Sequence, residues 1–245
     1  KWWDFGRKQG GLYLFTPTLT MENNYWYRGT ADALYQNLDW LKQSHEPYVV
    51  IASGDGIYKM DYGKVLEYHI NKKADITVVC REMEPQVNVE RFGTIVMDEE
   101  NRIVEFEEKP LKARTNMVSC GIYILRRRQL IEMIERCAEE DRYDFVRDIL
   151  VRYKDLKRIY GYQMTDYWRN IASVEDYYNT NMDFLKPEVR NYFFNEYPEI
   201  YSKIEDLPPA KYNTGVRIRN SLISSGCINS GCGRRYSSRC FNLPN

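Results

Sequence analysis

The feature that most constrains the fold is a short apolar run, YVVIAS at residues 48–53, followed at once by Gly54-Asp55-Gly56. A β-rich run that ends in an acid between two glycines is typical of a buried parallel strand and the loop at its carboxyl end. Residues 31–44 have apolar side chains at helical spacing, and residues 60–72 form a second predicted helix. The order helix, strand, loop, helix predicts part of an α/β fold.

The same alternation continues along the chain. We predict strands at residues 74–81 and 117–125, a hairpin at 92–106, and helices at 127–140, 144–153 and 174–185. Because strands and helices alternate over most of the chain, we expect an α/β fold with a mainly parallel sheet.

Composition excludes some classes of partner. Lys and Arg number 35, as do Asp and Glu, so no net field favours nucleic acid or an acidic membrane surface. No stretch approaches the roughly 20 apolar residues of a membrane helix. The sequence does not open with a signal peptide, and we therefore expect a cytoplasmic protein. Because the chain starts at Lys1, we also expect an upstream part.

The C-terminal part changes character. Residues 186–211 are rich in Tyr, Phe, Glu and Pro, and we interpret them as a linker. Val216, Leu222 and Ile228 then recur every six residues, which is typical of a parallel β-helix, although three matches also arise by chance. We therefore place the beginning of a β-helix at residues 212–228. Residues 229–245 have no period and are expected to be an unstructured tail.

Cysteines fall into two groups of three. Cys80, Cys120 and Cys137 lie in apolar segments, which predicts reduced core residues. Three more lie near the C-terminus, at positions 227, 232 and 240, with no zinc-ligand spacing and no histidine nearby.

Two acidic positions are candidates for chemistry. Asp55 follows a predicted parallel strand, where α/β folds bind ligands and where a carboxylate can hold Mg²⁺. The alternative is an Asp that caps the following turn. Glu108 and Lys109 end the predicted hairpin, so the lysine could bind a phosphate while the acid binds sugar hydroxyls. Taken alone, such a cluster is more often a solvated loop.

Two further stretches precede predicted helices. Gly29-Thr30 could present free N–H groups to a phosphate or a base, or Thr30 could simply be an N-cap. Asn170 precedes the predicted N-cap Ser173 and is either a weak metal ligand or a turn residue.

Four stretches in this order resemble one family: WYRGTADALYQN, SGDGIYKMDY, RFGTIVMDEENRIVEFEEKP and YWRNIASVEDYYNTNMDFL. They are similar to bacterial glucose-1-phosphate adenylyltransferases, the ADP-glucose pyrophosphorylases, over about residues 26–185. The resemblance implies a Rossmann-like nucleotidyltransferase domain, here residues 1–185 without its N-terminal part, and then a left-handed β-helix. It also implies that ATP and glucose 1-phosphate react, with Mg²⁺, to give ADP-glucose and pyrophosphate for glycogen biosynthesis.

The resemblance assigns roles to individual residues. Asp55 matches the catalytic, metal-binding aspartate, and Asn170 stands at a second metal-binding position. The sugar-phosphate-binding positions are Tyr27, Gly93, Glu108, Lys109 and Ser119, and the nucleotide-binding positions are Gly29, Thr30 and Gly54.

Several departures from the family pattern bear on activity. The Gly-rich nucleotide loop is absent, since no Gly-x-Gly-x-x-Arg arrangement surrounds Gly10 and Gly11. Catalytic members have Asp where this chain has Asn170, His where it has Gly56, and His-Asp-Phe-Gly where it has YDFV at residues 143–146. An amide in place of a carboxylate weakens a Mg²⁺ site.

These losses resemble the GlgD-type subunit, which implies a regulatory chain in a heterotetramer with a catalytic adenylyltransferase subunit. Two alternatives stay open. One is a catalytically active adenylyltransferase, and the other is a nucleotidyltransferase for a different base or sugar.

Overall fold

The computed structural model describes residues 13–17, 26–200 and 206–230. The described residues form two compact units, one within Tyr13–Asn170 and one that begins at Ile171. The predicted domain boundary at residue 185 stays a prediction.

The described part of the first unit holds eight strands and four α-helices. In chain order they are α1 (Thr30–Gln36), α2 (Leu38–Gln43), β1 (Tyr48–Ala52), β2 (Gly56–Tyr58), α3 (Tyr62–Asn71), β3 (Ile76–Glu82), β4 (Gly93–Met97), β5 (Ile103–Glu108), β6 (Met117–Arg126), α4 (Arg127–Glu139), a π-helix (Val146–Val151), β7 (Ile159–Gln163) and β8 (Trp168–Asn170).

Six strands form the main sheet, in the order β5-β4-β6-β3-β7, with β1 also paired to β6. The α/β class is confirmed, but the sheet is mixed rather than mainly parallel. Among the described strands of this sheet, only β3 and β7 pair in parallel. Strands β1, β3, β4 and β7 do run in one direction, yet β6 runs oppositely and lies between β3 on one side and β1 and β4 on the other. The central antiparallel strand therefore makes most neighbouring pairs antiparallel.

Strand β1 is less buried than its apolar sequence indicates. Within the described residues it pairs with β6 alone, and the side chain of Val50 is 42% exposed. Strands β7 and β8 were not predicted. Strand β8 is only three residues long and pairs with β2, so its identity depends on a partner more than 100 residues away.

The long helix predicted at residues 31–44 is divided at Asn37. The Asn37 side-chain amide donates to the Ala33 carbonyl at 2.8 Å and to the Tyr27 hydroxyl at 3.0 Å. Side-chain bonds of this kind compete with the helical ladder, which is why asparagine favours helix ends. The helix predicted at 60–72 is confirmed as α3, and Asp61 caps it by accepting from the Gly63 N–H.

The helix predicted at residues 144–153 is present, but its centre is a π-helix. The buried Asp148 carboxylate accepts from the N–H groups of Tyr143 and Asp144, at 3.1 and 2.9 Å. These bonds hold the preceding segment against the helix. Short π-helical turns within α-helices are frequent at functional sites.

Core packing confirms the predicted cysteine burial. Cys80, Cys120 and Cys137 are free thiols and are at most 3% exposed. Cys137 lies on the apolar face of α4 with Leu130 and Ile134, as the helical spacing predicts. Burial raises the pKa of the Cys80 thiol to about 12, so this group stays protonated.

The described part of the second unit contains helices α5 (Val174–Asp183) and α6 (Pro187–Asn195) and the two-residue strands β9 (Lys211–Tyr212) and β10 (Ile228–Asn229). The Ser173 side chain caps α5 by accepting from the Asp176 N–H at 3.0 Å, as predicted.

The predicted start of a β-helix is not visible in residues 206–230. Strands β9 and β10 do pair in parallel, but the side chains of Leu222 and Ile228 are 50% and 68% exposed. In a β-helix these six-residue positions would form the core, so the spacing does not correspond to a core here. Cys227 is buried, while residues 231–245, with the other two C-terminal cysteines, lie outside the described residues.

None of the described helices combines the length and the apolar character needed to cross a bilayer.

Candidate functional site

A notch in the sheet defines the site. Strands β1 and β4 lie on the same side of β6, but β1 ends opposite Ile122 and β4 pairs with β6 at Val118. On that side of β6, residues 119–121 therefore have no strand beside them within the described residues, apart from one bond from the Ser53 N–H to the Gly121 carbonyl at 2.9 Å. Gaps between neighbouring strands at a sheet edge are where α/β folds bind ligands.

A β-bulge shapes this notch. Neighbouring residues Val79 and Cys80 of β3 pair with Ile122 and Ser119 of β6, so β6 carries two extra residues here. One of them, Gly121, has φ +70, and a Cβ atom there would lie 2.9 Å from the Ser53 Cβ atom. A bulge of this kind turns nearby side chains toward a new direction.

Asp55 lies in the turn that follows β1, and its carboxylate is exposed beside the notch. The Ser53 hydroxyl donates to its Oδ1 atom. Gly54, unlike Gly121, is not closely packed: a Cβ atom added there would meet no atom within 4 Å. Packing therefore does not require glycine at position 54, and the open space lets another group approach the backbone.

Asn170 is brought to the same loop by the β2–β8 pair. Gly56 is directly opposite Asn170 in the antiparallel register, and Asp55 is the residue before Gly56. Opposite residues in such a pair have Cα atoms about 5 Å apart. Asp55 and Asn170 are 115 positions apart in sequence, and the fold makes them neighbours.

Glu108 and Gly93 are joined in the same way by the β4–β5 pair, where they are opposite each other. A Cβ atom at Gly93 would lie 3.0 Å from the Glu108 Oε2 atom and 2.9 Å from the Phe106 ring. The missing side chain at Gly93 therefore leaves the space in which the Glu108 carboxylate lies.

Lys109 adds a positive charge to this carboxylate. Its Nζ atom is 3.8 Å from Glu108 Oε1, and its side chain is 68% exposed. Its φ of +48 lies in the left-handed region that most side chains avoid. Burial raises the pKa of the Glu108 carboxyl above its ordinary value, while Lys109 acts to lower it and the nearby Asp144 to raise it. Such strain and such a raised pKa are common at functional sites.

Ser119 faces a tyrosine that sequence analysis missed. The Ser119 Oγ atom is 3.3 Å from the hydroxyl of Tyr123, four residues later on β6. Both residues are buried, and burial raises the pKa of the Tyr123 phenol. Asp144, also missed, acts electrostatically on both Tyr123 and Glu108. Asp144 lies within the YDFV segment at residues 143–146 and Tyr123 within the strand predicted at 117–125, but neither side chain was singled out as a site residue.

At Gly29 and Thr30, the start of α1 makes hydrogen bonds with another segment of the same chain. The N–H groups of Ala31 and Asp32 donate to the Tyr143 carbonyl, and the Thr30 hydroxyl accepts from the Phe145 N–H at 3.0 Å. The first N–H groups of α1 are therefore bonded within the protein. A role for Gly29 and Thr30 in nucleotide binding stays a prediction, as does a sugar-phosphate contact by Tyr27, whose hydroxyl bonds to the Asn37 amide.

An apolar cavity of about 630 Å³ opens beside the notch. Its walls include Thr30 from α1, Ser53 next to Asp55, and Gly121 and Tyr123 from β6. Of the predicted site residues, Thr30 lines this cavity, and Asp55 lies two positions after its wall residue Ser53.

The donor atoms near Asp55 suit a magnesium ion. Asp55 offers carboxylate oxygens and Asn170 an amide oxygen, and Mg²⁺ prefers such hard donors. Mg²⁺ commonly takes only one or two protein carboxylates and completes its shell with water and substrate phosphates. The described residues contain no cluster of three or more His, Cys, Asp or Glu side chains that could enclose a metal, so the pair fits only this open kind of site.

Comparison with sequences of known proteins gives the family of the chain that carries this notch. The profile of the nucleotidyl transferase family matches residues 6–187, about three quarters of the chain. The chain belongs to the nucleotidyl transferase family. This nucleotidyl transferase chain is 38% identical over 227 residues to the glucose-1-phosphate adenylyltransferase of Thermosipho melanesiensis, covering 92% of this chain and 55% of that relative.

Other relatives have the same name. The chain is 40% identical over 232 residues to the glucose-1-phosphate adenylyltransferase of Bacillus cereus strain Q1, covering 94% of this chain and 61% of that protein. It is 36% identical to the one from Lachnospira eligens, of which it covers 53%. This nucleotidyl transferase chain therefore spans about half the length of the curated relatives it matches.

Proposed function

We propose that this nucleotidyl transferase chain is part of a GlgD-type subunit of a glucose-1-phosphate adenylyltransferase that makes ADP-glucose for glycogen biosynthesis. It has weak or no catalysis of its own and acts with a catalytic adenylyltransferase subunit in the cytoplasm. Its substrates or ligands are ATP and glucose 1-phosphate, and it binds neither nucleic acid nor membranes.

One observation carries the regulatory role: Asn170 is the cross-strand neighbour of the Asp55 loop. If this edge holds Mg²⁺, an amide at position 170 leaves one protein carboxylate where catalytic relatives have two. The loss removes one negative charge from the metal site. Mg²⁺ binding and the stabilisation of charge in the transition state should both weaken.

The chain's own residues keep a way to bind the sugar phosphate. Glu108 accepts hydrogen bonds from sugar hydroxyls in the space beside Gly93, and Lys109 attracts the phosphate. Ser119 adds a hydroxyl on the floor of the notch. When bound between Asp55 and Asn170, Mg²⁺ would neutralise phosphate charge, and the protein mainly positions the reacting groups.

The direct test is an assay of ADP-glucose formation with Mg²⁺, using the full-length protein alone and mixed with a catalytic adenylyltransferase from the same organism. We expect little activity alone and, in the mixture, more activity than the catalytic protein shows by itself. Robust activity of the protein alone would refute the regulatory role and support the alternative of a working nucleotidyltransferase.

The substitution Asn170→Asp sharpens this test. Restoring the carboxylate should raise the activity of the full-length protein about tenfold or more, because it strengthens the charge that holds the metal. The matched control is Asn88→Asp, an exposed asparagine whose Oδ1 atom accepts from the Glu90 N–H, a bond that aspartate also makes. Equal activity in the two variants would mean that Asn170 is not what limits catalysis.

A further inference from the structure

Arg147 is a cation without a partner at the start of the π-helix. Its side chain is exposed, and its backbone N–H donates to Asp144 Oδ1 at 2.8 Å. Its guanidinium makes no hydrogen bond or ion pair with any residue in the described ranges 13–17, 26–200 and 206–230. An exposed arginine that is held in no ion pair can bind an anion.

Nearby arginines are not free in this way. Arg147 lines a polar cavity of about 450 Å³ together with Arg28, Arg142 and four acids, Glu140, Asp141, Asp144 and Asp148. Arg28 pairs with Asp32 at 3.1 Å, and Arg142 pairs with Asp148 at 3.3 Å. Arg147 is therefore the arginine of this cavity that has charge to offer a ligand.

The fold brings Arg147 to the sugar-phosphate residues. Strand β5 packs against the π-helix, and β5 ends at Glu108, directly before Lys109. The Glu108 carboxyl is subject to the charges of both Lys109 and Arg147, each of which acts to lower its pKa. Two cations from separate elements thus act on one carboxyl at the edge of the notch.

A phosphate monoester needs more charge than one exposed lysine supplies. It brings nearly two negative charges at neutral pH and three acceptor oxygens. Lys109 supplies a single ammonium group, and the Glu108 carboxylate, 3.8 Å away, partly neutralises its charge. A guanidinium adds two parallel N–H donors that match two phosphate oxygens.

We propose that Arg147 binds the phosphate group of glucose 1-phosphate together with Lys109, as a second cation of the site. This inference rests on the proposed function, because it assumes that the notch binds a sugar phosphate. It adds a contact from the π-helix to those from the β4–β5 hairpin, so the two elements hold the ligand from different sides.

The test is calorimetric titration of the full-length protein with glucose 1-phosphate. We expect Arg147→Gln to raise the Kd about tenfold, since a bond to a charged group is lost. Arg147→Lys should raise the Kd less, because the positive charge stays while the two parallel N–H donors of the guanidinium are lost. The control is Arg128→Gln on α4, an arginine that is 91% exposed and pairs with Glu132, and it should leave the Kd unchanged.

Salt dependence supplies a readout that a merely structural role would not change. The Kd of the wild type should rise with ionic strength more steeply than that of Arg147→Gln, since screening acts on the lost contact. An unchanged Kd in either Arg147 variant, with wild-type binding intact, overturns the inference and leaves the proposed function standing. If the wild type does not bind glucose 1-phosphate, the proposed function and the inference fail together.

Discussion

At the scale of the residue, glycine at position 93 is a requirement of the site. A Cβ atom at position 93 would lie 3.0 Å from the Glu108 carboxylate and 2.9 Å from the Phe106 ring, closer than such contacts normally are. Space made by one strand thus positions a polar group on the next. Gly54, by contrast, has open space around it, so only the approach of a ligand could require glycine there.

Gly93→Ala should therefore displace Glu108 and weaken glucose 1-phosphate binding. It should also reduce the free energy of unfolding by about 1–3 kcal/mol, because the ring of Phe106 must move as well. Urea unfolding and calorimetry measure the two effects. Gly54→Ala is the control for stability and should leave the unfolding free energy unchanged; equal stabilities of the two variants would contradict the contact.

His69 is the second residue with a testable property. It is 1% exposed, its Nδ1 atom is 2.8 Å from the Thr77 hydroxyl, and its Nε2 atom is buried without a partner among the described residues. Burial, helped by the charge of Arg126, lowers the pKa of His69 to about 4. The folded protein therefore keeps this side chain neutral.

Stability should depend on pH through His69. Since its pKa is lower in the folded state than the ordinary 6.5, the unfolded chain takes up a proton first as pH falls. The contribution is complete above pH 6.5 and decreases toward pH 4, with about 2 kcal/mol lost at pH 5. Urea unfolding at pH 7.5 and pH 5 should show this loss in the wild type and in His45→Gln, an exposed histidine, but less of it in His69→Gln.

At the scale of the element, hydrogen bonds connect the start of α1 to the segment before the π-helix, and we call this contact the joint. The Tyr143 carbonyl accepts from the N–H groups of Ala31 and Asp32, and Thr30 accepts from Phe145. A Cβ atom at Gly29 would overlap the Tyr143 carbonyl oxygen, so the two backbones touch. Arg28 also lies over the Tyr143 ring, at 3.8 Å. Two motifs far apart in sequence are held together here.

Thr30→Val tests the joint with a change that keeps the shape. The Phe145 N–H loses its acceptor, and the free energy of unfolding should fall by about 1–2 kcal/mol. The control is Thr165→Val, in the same unit between β7 and β8, where the side chain is exposed and a smaller effect is expected. Thermal or urea unfolding measures both. A Thr30→Val protein as stable as the control would show that the bond adds nothing to folding.

At the scale of the whole molecule, the chain divides into two compact units with separate buried thiols. Cys80, Cys120 and Cys137 belong to the first unit, and Cys227 belongs to the second. Burial raises the pKa of each of the first three thiols, which suppresses the reactive thiolate. Exposure of these groups requires that their unit unfold.

Labelling with iodoacetamide in increasing urea should therefore report each unit. The three thiols of the first unit should become labelled together, at the urea concentration where its secondary structure is lost. Cys227 serves as the internal comparison, because it reports the other unit. Mass spectrometry of the labelled peptides measures this, and labelling of Cys80 in the folded protein at neutral pH would contradict its burial.

Sequence patterns predicted most of the elements, because each depends on local spacing. The apolar face of α4, the cap of α5 at Ser173 and the hairpin turn at residues 98–101 are all within a few residues of their cause. Strands β7 and β8 were missed since their pairing partners are remote. The sheet was expected to be mainly parallel because alternation in sequence does not reveal that β6 is inserted antiparallel.

The candidate site also has some features that local sequence predicts and others that only the tertiary structure sets. By itself, the sequence determined the family, the α/β class and the residue types at positions 55, 108, 109, 119 and 170, because those are properties of short motifs. Only the tertiary structure decided that Asn170 neighbours the Asp55 loop, that Gly93 makes room for Glu108, and that the π-helix with Arg147 packs against the strand that ends at Glu108. The reason is physical: strand register and packing between distant segments set these distances, and no local spacing encodes them.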